Sequence, residues 1–331
     1  MKKMKLTSIA VLSALLLMTS CKKDKKDEVA PQPTTPVSTA LSFSQVTVTG
    51  SQFAPLFDHQ AVSFNSKLWV IGGRDASVSR NEIWSSSDGI SWSQSTVVGS
   101  LFSVRWGHKV LVFNSKLWVI GGNSGGSALN DVWSTTDGIN WIEETASAQF
   151  SARYYLDAIV FNSKMWVIGG DSGTTQNDIW SSTDGITWTQ EIVVGTQFSP
   201  RAGHQLVLCN SKLYVIGGYT STGFKNDVWS SVDGINWVEE VPTGSVFLPC
   251  YSHQAVVKDN VIYVIGGIVG WVNSAEIWSS SNGKDWTQKT ISGTSFGPRA
   301  GHQALLFNSK IYVIGGFDNS SVAQNDIWFL N

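Results

Sequence analysis

The chain has 331 residues, 42% of them hydrophobic and only 15% charged, with 16 Trp and 31 Gly. A formal net charge of −2 offers no positive field, so nucleic acid is set aside as a partner. Low charge with abundant Trp and Gly predicts all-β structure with aromatic cores and many tight turns.

The first residues read as a leader. Lys2, Lys3 and Lys5 make a positive start, and Leu6 to Met18 is an apolar run too short for a lasting transmembrane helix. Met18-Thr19-Ser20-Cys21 resembles a bacterial lipobox, with Met where Leu is usual. We therefore expect residues 1–20 to be a lipoprotein signal peptide and Cys21 to carry lipid. Each buried methylene of such an anchor contributes about 0.8 kcal/mol of membrane affinity. Residues 21–40, KKDKKDE followed by VAPQPTTPVSTA, have the composition of a solvated tether. These features predict a bacterial envelope protein held at the outer membrane, periplasmic or surface-exposed, touching the membrane through its lipid alone.

From residue 41 to 331 the chain repeats. SKLWVIGG (Ser66 to Gly73) returns five times, with second glycines at Gly73, Gly122, Gly170, Gly218, Gly267 and Gly316. A fixed period near 50 residues points to a radial or stacked array. In the fourth unit Asn210-Ser211 separates two apolar runs as a hairpin turn. The second run ends at Gly217-Gly218. A third strand centres on Asn226-Asp227-Val228-Trp229, and Asp233-Gly234 turns into a fourth that begins at Trp237. The first strand is apolar on both faces (Leu206 and Leu208, Val207 and Cys209), so it must be covered on both sides. Six such four-stranded antiparallel units around an axis make a six-bladed β-propeller.

Strand, Gly-Gly, loop, NDVW, turn and Trp together resemble the kelch repeat, in the propeller superfamily of galactose oxidase. Trp84, Trp133, Trp180, Trp229, Trp278 and Trp328 fall on the third strand, and Trp92, Trp141, Trp188, Trp237 and Trp286 open the fourth. The sixth unit ends at Asn331 without a fourth strand. Ser42 to Phe53 aligns with Ser91 to Phe102, with Phe43 in the place of Trp92, so an N-terminal strand is expected to complete the last blade. Ser86 to Trp92 and its copies also look like the Asp-box of sialidase-type propellers, which implies hairpin turns. Cys209 and Cys250 lie roughly 26 Å apart in strand height and are expected to be free thiols.

All five histidines, His59, His108, His204, His253 and His302, share one repeat position, where the third unit has Leu156. We expect them to hydrogen-bond between blades and to hold no metal. No cofactor is expected.

In a propeller the loops between fourth and first strands and between second and third strands share one face, and here these loops diverge. They carry Arg105, Trp106, Arg153, Tyr154, Tyr155, Arg201, Tyr251 and Arg299 in the first set, and Arg74, Asp75 and Asp171 in the second. Recurrence of Arg105, Arg153, Arg201 and Arg299 at one position admits an architectural reading. The functional reading is a rim of guanidinium and aromatic groups suited to carboxylates, acidic peptides or sugars. The chain is thus expected to be a monomeric, non-catalytic binding module for glycan or protein. The resemblance also implies an alternative, a carbohydrate-active enzyme of sialic-acid-epimerase or oxidase type on the same face.

Overall fold

The structure, a computed structural model, describes residues 40–331. The leader, Cys21 and nearly all of the tether lie outside the described residues.

Every regular element among the described residues is a strand, arranged as a propeller of four-stranded antiparallel blades. The first unit is typical. Gln60–Phe64 pairs with Lys67–Arg74, which pairs with Ser79–Ser86, which pairs with Ser93–Gln94. Asn65 and Ser66, at φ 47° and 58°, form the turn between the first two strands, as Asn210 and Ser211 do in the fourth unit.

The Gly-Gly pair has two physical causes. The register between second and third strands shifts between Ile71 and Gly73, a β-bulge that recurs in every unit. Gly72 adopts φ 61° there. In addition, a Cβ on Gly72 would stand 2.8 Å from Cε1 of His108 in the next unit, and one on Gly73 would stand 2.5 Å from Cβ of His59. The histidine column and the glycine column therefore specify each other.

Hydrogen bonding divides the strands into five sheets rather than six separate ones: three of four strands, one of five and one of nine. In the larger one, Cys250–Tyr251 pairs with both Lys225 and Ile268–Val269, bridging the fourth and fifth units. Elsewhere the corresponding contacts are single bridges, such as Trp106 to Asn123. In the five-stranded sheet, Leu41–Gln45 pairs antiparallel with Ala323–Leu330 and parallel with Ile291–Ser292.

The core is distributed between units rather than within them. Trp69, Ile71 and Ile83 of the first unit pack with Phe102, Leu117, Val119 and Trp141 of the second. An equivalent cluster joins Phe307, Tyr312 and Ile314 of the last unit to Leu68, Val70 and Trp92 of the first. In five units a Phe meets the fourth-strand Trp edge-on, as Phe53 meets Trp92 at 5.1 Å and 84°. Phe43 stands to Phe296 in the same way, at 5.0 Å and 89°.

At the axis, one residue from each first-strand entry donates its N–H to the carbonyl of the preceding unit. The cycle runs Asp58 to Gly301 (2.9 Å), Gly107 to Asp58 (3.0 Å) and Tyr155 to Gly107 (2.8 Å). It continues from Gly203 to Tyr155 (2.9 Å), Ser252 to Gly203 (3.1 Å) and Gly301 to Ser252 (3.1 Å). All six residues are in the left-handed region, with φ from 50° to 61°.

The Ser-x-Asp-Gly turns are structural. Asp233 accepts the amides of Ile235 and Asn236 at 2.8 Å, while Ser231 bonds both Asp233 and Gly234. Cys209 and Cys250 are unpaired and buried, as their strand heights require.

Candidate functional site

The axial cycle positions the site. Three of its six members are glycine, the residue that tolerates left-handed backbone at least cost. Asp58 and Tyr155, at φ 54° and 51°, are exceptions whose side chains meet above Gly107. Tyr155 Oη donates to Asp58 Oδ2 at 2.8 Å, and Arg74 Nε and Nη2 donate to the same oxygen at 3.1 and 2.9 Å. Burial raises the Asp58 carboxyl above its ordinary range, with Arg74 and Tyr155 opposing in part. The Arg74 guanidinium lies 3.7 Å over the Trp106 ring and 4.9 Å over Phe57.

From Arg74 a wall of aromatic rings runs across the face. Trp106 packs against Tyr154 and Tyr155 at 5.2 and 5.4 Å. Tyr155 leads to Tyr219 (6.5 Å), and Tyr219 to Tyr251 (5.3 Å). Tyr251 leads to Phe224 (4.6 Å), and Phe224 to Trp271 (4.8 Å). These side chains line a cleft of about 360 Å³, within the range of small-ligand sites. Asp171 stands behind it, accepting from Tyr219 Oη at 2.8 Å and from the Gly173 amide at 2.8 Å.

Trp271 is the most telling member. It is 80% exposed and sits at φ 71° in the Gly270-Trp271 turn joining Val261–Val269 to Val272–Ser280. The corresponding turn of the second unit uses Gly125-Gly126. A left-handed residue with a side chain costs about 1–2 kcal/mol, and a solvated indole forgoes its burial. Trp271 thus presents its whole indole to solvent at the edge of the cleft, from a turn position that is glycine in the second unit.

Four expected rim residues are not on the rim. Arg105, Arg153 and Arg201 are fully buried and Arg299 nearly so. Each forks onto an aspartate of its own third strand: Asp131, Asp178, Asp227 and Asp326, at 2.6–2.9 Å. Each also donates to the first carbonyl of its Gly-Gly pair. The same carboxylates accept the indole N–H of Trp133, Trp180, Trp229 and Trp328. A bidentate pair buried this way has no donor left for a ligand, so these arginines are architectural. Asp75 also turns inward on its own loop, capping the amides of Ser77 and Val78 and pairing with Arg80 at 3.0 Å.

The histidines likewise leave the site. They are buried at the blade interface, where His108, His204, His253 and His302 face the backbone carbonyls of Ile71, Ile168, Ile216 and Ile265 in the neighbouring unit, short of well-aligned hydrogen bonds. Their role is packing against the Gly-Gly bulge. Burial holds His59 down to about 3 and His253 to about 4.

Arg74, Trp106, Tyr154, Tyr155, Tyr251 and Asp171 are brought together as the sequence suggests. Phe224 and Trp271 complete the cleft and fall outside the expected loop sets, while Tyr219, a residue of the second loop set, joins the lining, and Asp58, of the first, lies beneath Arg74. A usable signal exists for most of them. All but six of the 16 Trp and 7 Tyr fall in repeat columns. The six that do not are Trp106, Tyr154, Tyr155, Tyr219, Tyr251 and Trp271, and all six line this one cleft.

A second, smaller cavity of about 50 Å³ runs along the axis, lined by Gln60, Lys109, Asp157, Gln205, Gln254 and Gln303 among others. Their side-chain oxygens tie neighbouring units together. Gln60 accepts from Val110 N and Gln254 from Ala304 N, both at 3.4 Å, and Asp157 from Leu206 N at 2.6 Å. Lys109, which cannot accept, pairs with Asp157 at 2.7 Å.

The family described as KLHDC2/KLHL20/DRC7 Kelch-repeats domain matches the chain over residues 35–218 and again over 158–331. No curated protein matches it.

Proposed function

The chain belongs to the Kelch-repeats domain family, and from that premise we propose that it is a carbohydrate-binding module carried on the cell envelope by a lipid at Cys21. The observation that carries the proposal is the convergence of every off-repeat Trp and Tyr on one cleft. Rings of this kind supply rigid apolar plates for the C–H faces of sugars, and the phenols add hydrogen bonding. The cleft's volume fits a few sugar units. A stable protein partner would bury about 800 Å² on each side, far more than this recess.

An enzymatic reading asks a phenol to approach phenolate. Burial raises Tyr154, Tyr155, Tyr219 and Tyr251 instead, so all four remain protonated donors. Binding to an immobilised glycan panel tests the proposal. Trp271→Ala, which removes an exposed side chain, should weaken the best ligand at least tenfold with an unchanged melting temperature. A panel with no hits, alongside a protein captured equally by wild type and Trp271→Ala, would redirect the function to protein recognition at another surface.

The ring geometry belongs to the same reading. We propose six blades, with the nine-stranded sheet counted as two, closed by Leu41–Gln45 as the outer strand of the last. The six-membered axial cycle and the Phe43–Phe296 pair support it. Deleting Ser42 to Thr49 should lower the melting temperature by about 10 °C or more, since losing Phe43 alone removes about 3–5 kcal/mol of buried contact. An unchanged melt would refute closure.

A further inference from the structure

The fate of the arginines bears on the ligand's charge. Arg105, Arg153, Arg201 and Arg299 are buried on aspartates, and Arg80 pairs with Asp75 and Glu82. Arg74 alone reaches the cleft, and its charge is met by Asp58 at 2.9 Å. Lys225 follows Phe224 on the same strand and so projects to the opposite side of the sheet. Among the described residues lining the cleft, no cation is free to meet an anion. The nearest additional charge is the Asp171 carboxylate behind Tyr219.

We infer that the cleft selects an uncharged, hydroxyl-rich sugar and rejects uronic-acid, sialic-acid and sulfated glycans. The inference rests on the carbohydrate reading above and narrows it. An anionic sugar would leave water for a recess whose local charge is neutral to negative, and would gain no ion pair in return. A neutral sugar meets complementary groups. The Tyr251 phenol keeps its proton and donates to ring and hydroxyl oxygens, while Tyr219, whose proton is given to Asp171, offers its oxygen as an acceptor for sugar hydroxyls. Asp171 has two acceptor positions filled, by Tyr219 and Gly173, out of roughly four on a carboxylate. Standing behind the lining, Asp171 fixes the Tyr219 phenol with its oxygen turned to sugar hydroxyls, which makes it a positioning residue for specificity.

The experiment is calorimetric titration of the full chain carrying Cys21→Ser. The probes are neutral manno-, gluco-, xylo- and galacto-oligosaccharides beside uronic-acid, sialylated and sulfated counterparts of matched length, at about 0.05 and 0.5 M NaCl. The expected result is binding within the neutral set only, with a Kd that salt leaves unchanged. Asp171→Asn, which keeps shape and removes charge, should weaken that binding about tenfold at constant melting temperature. Preferential binding of an acidic glycan, weakened by salt, would overturn this inference and leave a carbohydrate-binding cleft standing. Unaltered neutral-sugar binding in Asp171→Asn would overturn the role of Asp171. Failure of every glycan, neutral and acidic, would take down the carbohydrate reading itself.

Discussion

Arg153→Leu is expected to destabilise the propeller by about 3–5 kcal/mol, the usual cost of removing one partner of a buried ion pair. The side chain is fully buried and donates to both carboxylate oxygens of Asp178 at 2.6 and 2.8 Å, to the Gly169 carbonyl at 2.8 Å and to the carbonyl and hydroxyl of Ser151. Without it, Asp178 keeps only the Trp180 indole and partial access to water. For a domain of this size the melting temperature should drop by roughly 6–12 °C, measured by thermal unfolding. The repeat itself shows a compensation. Units one and five have Leu56 and Cys250 in place of the arginine, and there the aspartate is replaced by Glu82 and Glu276, which still accept the indole N–H of Trp84 and Trp278 at 3.0 Å. The longer carboxylate dispenses with the buried arginine: Glu276 reaches solvent, and Glu82 takes the partly exposed Arg80 of its own strand at 3.2 Å. Arg153→Leu with Asp178→Glu should therefore recover at least about 1 kcal/mol over the single variant. A double variant no more stable than the single would show that the two positions are not coupled.

That correlation is legible in the amino-acid sequence itself. Arginine in four units accompanies Asp on the third strand, and its two absences accompany Glu. The covariation implies that the arginine and the third-strand acid interact. It is masked because a guanidinium near a divergent loop is equally consistent with ligand binding, and burial depends on a side chain folding back along its own blade. The kelch repeat and its four-stranded antiparallel blade are legible, because the units repeat the same hairpins, bulge and aromatic pairs. The cleft is half legible. Trp106 and the Tyr154-Tyr155 pair announce themselves in loops. Trp271 sits in a two-residue turn where tryptophan is conformationally costly, so a search for turn-forming residues passes over it. Asp58 takes its meaning from Arg74 and from Tyr155 two units away.

The histidine column sets how the protein meets acid. Each buried ring is neutral, and burial holds each below the ordinary value near 6.5, His59 to about 3 and His253 to about 4, with His108, His204 and His302 also well below. In the unfolded chain these rings bind a proton as pH falls through about 6.5. Between that value and the folded values the unfolded state holds more protons, so stability is complete above about pH 6.5 and is lost as pH falls. Five rings at about 1.4 kcal/mol per pH unit each give a limiting slope near 7 kcal/mol per unit. A domain with 5–15 kcal/mol of stability would exhaust it within about two units. Acid unfolding followed by tryptophan fluorescence should therefore be steep, with a midpoint near pH 4–5. Asp178, Asp227 and Asp326 lose their contribution only at lower pH, because their arginine partners hold these carboxyls below the usual range. Leu156 occupies the same position in the third unit, so His204→Leu offers a variant the architecture already accommodates. It should reduce the acid slope by about one fifth and move the midpoint down while leaving stability above pH 7 nearly unchanged. Retention of full stability to pH 4 in the wild type would mean that the rings find protons or partners inside the fold, and the packing role assigned to them would fall.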